Sequence, residues 1–217
     1  MLMVRRPSVR EIDAFLARQA RTSLSYAAVG ATAETAAPHG FTTDSNRAYL
    51  GRGADTFRSA AAALRRWEMF DLGWVHLRAD RAPPSPGTNV AVTVQLAGLW
   101  WLNACRVVYI VEEPRRFVLA YGTLEDHAES GEERFSADWT AGDDSVWYEI
   151  VAFSRPRHPL ARFGRPFARA VQRRFARDSL AAMQRAVSGN ALATSGAWTG
   201  RMSAPAVALP AAALQCK

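Results

Sequence analysis

Cysteine, histidine and lysine are all scarce in this 217-residue chain, and each shortage closes off a class of chemistry. Cys105 sits in an apolar strand-like run and Cys216 is the penultimate residue, so a reduced, cytoplasmic chain is expected rather than one held by disulfides. Buried as a small hydrophobe, Cys105 carries no nucleophile assignment. The four histidines, at 39, 76, 127 and 158, make no short ligand spacing and no close cysteine pair joins them, so neither a metal nor a cofactor is expected. Lysine occurs once, at Lys217, a shortage that fits the heavy alanine and arginine use of the whole chain. The stretch "LGRG" sets two glycines before a helix but lacks the further spacing and the lysine of a phosphate loop, and reads as a tight entry turn. There is no GxSxG, so no serine is nominated as a nucleophile. No run approaches the roughly 18 apolar residues of a membrane helix, and "MLMVRRPSVREIDAF" has no apolar stretch behind its arginines to make a secretion signal.

What the chain does have is a large apolar fraction and patterned segments. At 49% hydrophobic residues it is long enough to bury a sizeable core in one domain. Ser8 with Glu11 three positions on marks the start of a short helix over Val9 to about Arg21, whose apolar side is Ile12, Phe15 and Leu16. The following thirty residues show weak periodicity. "DTFRSAAAALRRWEMF" is a second helix with Asp55 as cap and Phe57, Ala60, Ala61, Leu64 and Trp67 on one face. From "LGWVHLRA" onward the period becomes two. "VAVTVQL", "ACRVVYIV", "RFVLAYGTL", "GEERFSADW" and "SVWYEIVAF" are strands, joined by links too short for parallel crossovers. After Pro156 the period returns to that of a helix, with Pro166 in its first turn and Phe163, Phe167, Val171 and Phe175 along one stripe. The expected fold is therefore α+β: a curved antiparallel sheet wrapped around a long C-terminal helix in a single domain over residues 1–187, followed by a flexible Ala/Pro-rich tail over 188–217.

The segment "YGTLEDHAESGEERF" concentrates one histidine and five acids between two aromatic-bearing runs. It reads as the end of one strand, a charged hairpin and the start of the next. Alternation puts Glu133 on the side of Phe135, Ala137 and Trp139, and Glu149 on the side of Trp147, Val151 and Phe153. An acid among large apolar residues is either paired or has a raised pKa. Two readings stand for Glu133 and Glu149: a structural ion pair, with Arg106 as partner, or a ligand or catalytic role. His127 stands as a hairpin or pocket-rim residue.

All the excess positive charge lies in one place. Arg155 to Val187 holds nine arginines against one acid, Asp178, while the rest of the chain is close to neutral. A solvated helix face, pairing with acids elsewhere, or weak contact of Arg169, Arg173, Arg174 and Arg177 with an anionic membrane are the readings open to it; no specific nucleic-acid recognition is expected.

"YGTLEDHAESGEERF", "VWYEIVAFSRP" and "FGRPFARAVQRRFARDSLAAMQ" strongly resemble the uncharacterised family known as domain of unknown function 1990, over about residues 49–187. The resemblance carries over motif positions but no catalytic assignment: Tyr121, Gly122, Thr123, Leu124, His127, Gly131, Glu132, Glu133, Trp147, Tyr148, Phe153, Ser154, Pro156, Gln172, Arg174, Phe175 and Asp178. Where the family usually has glycine before the histidine, this chain has Asp126, which puts in doubt a turn that needs positive φ. More distantly, the element order is similar to the START-like helix-grip proteins, which enclose lipids, polyketides or other apolar molecules between sheet and helix.

That resemblance implies binding of a small apolar or aromatic molecule in an internal cavity, with or without cofactor-free acid/base chemistry such as cyclisation, dehydration or isomerisation. Glu133, His127 and Glu149 are the catalytic candidates. Tyr121, Arg106, Phe135, Trp147, Tyr148 and Phe153 are the ligand-binding candidates. A non-enzymatic lipid or metabolite carrier, and a peripheral membrane or structural protein using the Arg-rich helix, are the alternatives.

Overall fold

The computed structural model describes residues 1–34, 38–157 and 165–196. Eight strands form one antiparallel sheet: β1 (Leu2–Met3), β2 (Thr42–Arg52), β3 (Val75–Ala79), β4 (Asn89–Leu96), β5 (Leu99–Glu113), β6 (Arg116–Thr123), β7 (Glu129–Trp139) and β8 (Ser145–Pro156). Their order is β2-β8-β7-β6-β5-β4-β3, with the short β1 beside the start of β5. Among the described residues the α-helices are α1 (Val9–Gln19), α2 (Gly53–Arg65) and α3 (Arg165–Gly196). Helices α2 and α3 and a 3-10 turn at Glu68–Phe70 cover one face of the sheet. The expected α+β helix-grip is the observed fold.

Local chemistry accounts for most of these elements. The Ser8–Glu11 capping box opens α1, and Phe15 and Leu16 are buried against Ala91, Leu102 and Leu124. Helix α2 starts at Gly53 rather than after an Asp55 cap; Asp55 lies in its first turn and pairs with Arg58. The "LGRG" turn before it holds Gly51 and Gly53 at φ 139° and 85°, conformations that disfavour other residues. Strand β2 had no clear pattern because it is an edge strand of largely polar composition, held by pairing with β8 rather than by alternation. The long helix continues to Gly196, nine residues past the expected end of the domain; residues 197–217 of the expected tail lie outside those described.

The two faces of the sheet are filled differently. The inner face carries the main core: Phe117, Leu119 and Tyr121 from β6, Phe135 and Ala137 from β7, and Val146, Tyr148 and Ile150 from β8 pack under Phe57, Leu64, Phe70 and Met183. On the outer face the buried Glu132 carboxylate gathers the chain between α1 and β2. It accepts from the Tyr26 hydroxyl at 2.5 Å, from the Gly30 and Thr32 amides at 2.7 and 3.0 Å, and from the Thr32 hydroxyl. Such charge-assisted bonds to a buried acceptor are strong, and removing the acceptor strands four donors.

Gly131 sets how closely β7 and β8 approach. A Cβ there would stand 2.0 Å from the Phe153 carbonyl oxygen, a backbone atom that no side-chain rotation can move aside. Gly131→Ala is expected to destabilise the fold by about 3 kcal/mol, the upper range for overpacking; equilibrium urea unfolding checks it, and an unchanged midpoint would mean the strands can part freely.

Candidate functional site

The register of three strands decides which acids face inward. Glu133 lies opposite Tyr121 on β6 and opposite Ala152 on β8. It therefore shares the inner face with Tyr121, Phe135, Tyr148 and Ile150. Ala152 in turn faces Asp44 on β2, and Glu129 lies four residues before Glu133 on the same side of β7.

Glu133 has no cationic partner among the described residues. The Tyr121 hydroxyl donates to its Oε2 at 2.6 Å, none of the described residues donates to its Oε1, and the side chain is half-buried. Burial pushes its pKa up from 4.5 to about 7; the Tyr121 bond opposes the shift, and repulsion from Glu129 and Asp44 adds to it. The Tyr121 and Tyr148 hydroxyls are held well above their ordinary pKa by burial, and Cys105 likewise, with Glu133 reinforcing each. These groups remain protonated, and the Tyr121 hydroxyl acts as a donor. Tyr148 shares its hydroxyl with Ser179 of α3 at 2.9 Å.

Aromatic rings continue from Tyr121. Its centroid is 5.5 Å from Phe135 and 6.1 Å from Phe70; Phe70 stands 5.6 Å from Phe135 and 5.3 Å from Phe175 of α3. The first turns of α3 close over the strands through polar contacts. Arg169 binds Asp44 in a fork at 2.5 and 2.6 Å, and Gln172 donates to Glu129 at 2.6 Å and to Ser154 at 3.2 Å. Burial raises the Glu129 pKa, while Ser154 and Gln172 hold it down in part.

Several expected members do not join this group. Glu149 is opposite Ser136 on the outer face and pairs with Arg134 at 2.7 Å. Both sides of β8 are rich in apolar residues, so alternation alone could not say which faced the core. Trp147 is on that outer face under Arg47, 4.2 Å from its ring, and Phe153 packs there against Tyr26 and Phe41. Arg106 neutralises neither glutamate. It binds Asn89 Oδ1 at 2.8 Å and the Thr22 and Gln19 carbonyls at 3.0 and 2.9 Å, anchoring the end of α1. His127 accepts the Glu129 amide on Nδ1 at 3.0 Å within the hairpin, and burial lowers its pKa to about 4, which leaves it neutral near pH 7. Asp126 needs no positive φ; its carboxylate takes a 2.5 Å bond from Gln19. Tyr121, Phe135, Tyr148 and Glu133 are the expected residues the fold does bring to one face.

Asp44, Glu129, Phe70 and Cys105 were missed as site neighbours. Glu129 was legible in principle, since β7 begins two residues before the expected start and 129, 131 and 133 share its period. Asp44 was not, because its strand had no pattern. The expected membrane face loses its support: Arg169 binds Asp44, Arg174 lies 4.3 Å from the Trp74 ring, and Arg177 pairs with Asp178. No helix among the described residues is long and apolar enough to cross a membrane.

Comparison with known proteins places residues 25–182 within the family described as "Domain of unknown function (DUF1990)", a span that starts earlier than the motifs alone suggest. A UPF0548 protein of Dictyostelium discoideum is 31% identical over 88% of this chain and 97% of its own length, and one from Deinococcus radiodurans is 36% identical over 82% and 94%. Among solved structures, the Zhui aromatase/cyclase from a Streptomyces species aligns with a TM-score of 0.52 at 15% identity, over 70% of this chain and 96% of that one. A protein from Thermus thermophilus aligns at 0.51 with 9% identity, over 69% and 99%. At such identities the likeness is one of fold.

The raised carboxyl has a stability consequence. Glu133 binds a proton in the folded state between pH 4.5 and about 7 where the unfolded chain does not, so its contribution is most favourable below pH 4.5 and is lost as pH rises through about 7. The loss is on the order of 3 kcal/mol. Glu133→Gln, neutral at all pH, is expected to raise the melting temperature at pH 8.5 and to leave it nearly unchanged at pH 4.5; equal effects at both pH values would mean the carboxyl is not shifted.

Proposed function

This chain belongs to the DUF1990 family, and we propose that it binds a small apolar or aromatic molecule between sheet and helix and moves a proton on it with Glu133. One observation carries the reading: a carboxyl without a cationic partner among the described residues, bonded to Tyr121 on the sheet face where the Tyr121, Phe135, Phe70 and Phe175 rings pack together. Burying an uncompensated carboxyl costs free energy that packing alone would select against, and a base poised near neutral pH is the use that returns it. The aromatase/cyclase activity of the fold neighbour named above supports an apolar, aromatic ligand class.

In this reading Tyr121 fixes Oε2 and leaves Oε1 to take the proton. With Arg106 engaged on α1 and the Tyr121 hydroxyl committed to Oε2, a developing oxyanion would be met by the Tyr148 hydroxyl of the inner face. His127 stays a hairpin residue, neutral and bonded to its own turn. The carrier alternative requires the glutamate to be neutralised by an arginine. Arg106, the partner expected from the sequence, and Arg169 on α3 are both bound elsewhere.

Two measurements test it. Native mass spectrometry of protein purified from its own cells is expected to release a small molecule of reproducible mass on mild denaturation. With that compound as substrate, kcat/KM is expected to rise about tenfold per pH unit below pH 7 and level off above it, while Glu133→Gln binds the compound but turns over at least about 100-fold more slowly. Unchanged turnover in the variant would remove Glu133 from the chemistry and leave the carrier reading.

A further inference from the structure

Ser179 is the odd member of its helix face. At the four-residue spacing that keeps one side of α3 on the sheet stand Val171, Phe175, Ser179, Met183 and Val187, apolar but for the serine. Ser179 is fully buried, and so is Tyr148 of β8, whose hydroxyl lies 2.9 Å from the Ser179 Oγ. Packing alone does not call for this pair. Alanine and phenylalanine have the same shapes less one oxygen each, and replacing both partners of a buried hydrogen bond in that way is close to neutral. What the two hydroxyls add is direction.

Each hydroxyl has one proton, so the bond between them runs one way or the other. If Tyr148 donates, its proton is spent on Ser179. If Ser179 donates, the Tyr148 proton stays free for a second acceptor. A phenol whose oxygen accepts one bond is also a stronger donor through its own O–H. The inner face selects between the two arrangements. Burial keeps the Tyr148 hydroxyl protonated, and the Glu133 carboxylate is near enough to add to that effect. The same carboxylate attracts the hydrogen end of the Tyr148 O–H dipole, which leaves the oxygen lone pairs to Ser179.

We infer that Ser179 is a positioning residue of this site: it donates to the Tyr148 oxygen and leaves the Tyr148 proton for an oxyanion developing on the bound molecule. The inference rests on the proton-transfer reading above and names what holds the oxyanion donor in its working direction.

The place of one hydrogen tests it, with no ligand needed. A neutron crystal structure of the deuterated full-length protein at pH 8.5 locates hydroxyl hydrogens that X-rays do not show. The Ser179 deuteron is expected on the line between the two oxygens and the Tyr148 deuteron off it. A Tyr148 deuteron on that line overturns the inference. A second measurement separates positioning from fastening. The double variant Tyr148→Phe with Ser179→Ala is expected to change the unfolding equilibrium constant in urea by less than about tenfold. A larger loss would make the pair a fastener between β8 and α3 and overturn the positioning role. Neither readout involves turnover by Glu133→Gln, so failure of this inference is told apart from failure of the base itself.

Discussion

A carboxyl group taken out of water without a counter-charge loses several kcal/mol of solvation, and a fold must compensate that or let the group stay protonated. In this protein the register of β6, β7 and β8 imposes that choice on Glu133, and the rest of the site follows. Pairing with Tyr121 brings a phenol to one oxygen, pairing with Ala152 brings nothing polar from β8, and Arg106 and Arg169 are held elsewhere. The result is an acid that titrates near neutrality in the folded protein.

The register itself is secured on the far side of the sheet. Gly131 lets β7 and β8 approach more closely than any residue with a Cβ allows, and Glu132, one residue on, points outward and binds Tyr26 and Thr32. A strand that slipped by one residue would turn Glu132 inward and expose Glu133. The adjacent glutamates thus have opposite tasks. Glu132 is fully satisfied and fastens the chain before β2 to the outer face. Glu133 meets only the Tyr121 hydroxyl among the described residues of the inner one. Helix α3 completes the enclosure with side chains of one stripe: Arg169 to Asp44, Gln172 to Glu129, Phe175 against Phe70, and Ser179 to Tyr148.

Much of this was legible in the residues. The shift from helical period to alternation and back fixed the element order and the α+β class, and the Phe135–Ala137 alternation put Glu133 on the inner face. Alternation failed where both sides of a strand are apolar. In β8 the outer residues Trp147, Val151 and Phe153 look as core-like as Val146, Tyr148 and Ile150, because the outer face is itself covered by the segment carrying Tyr26 and Phe41. Glu149 and Phe153 were drawn inward for that reason. Arg106 could not be assigned at all, since its partners include backbone carbonyls some 80 residues away along the chain, which leave no mark in composition or spacing. Strand β2 and its Asp44 had no apolar pattern to show because an edge strand is held by backbone pairing.

The account depends most on the protonation state of one side chain. Carbon-13 NMR of the Glu133 side-chain carboxyl, assigned by its loss in Glu133→Gln and followed from pH 3 to pH 9, measures it directly. A midpoint near 7 is the value the burial requires. A midpoint at the ordinary 4.5 would mean that water or a positive charge reaches the carboxyl after all, and the proton-transfer role would lose its basis.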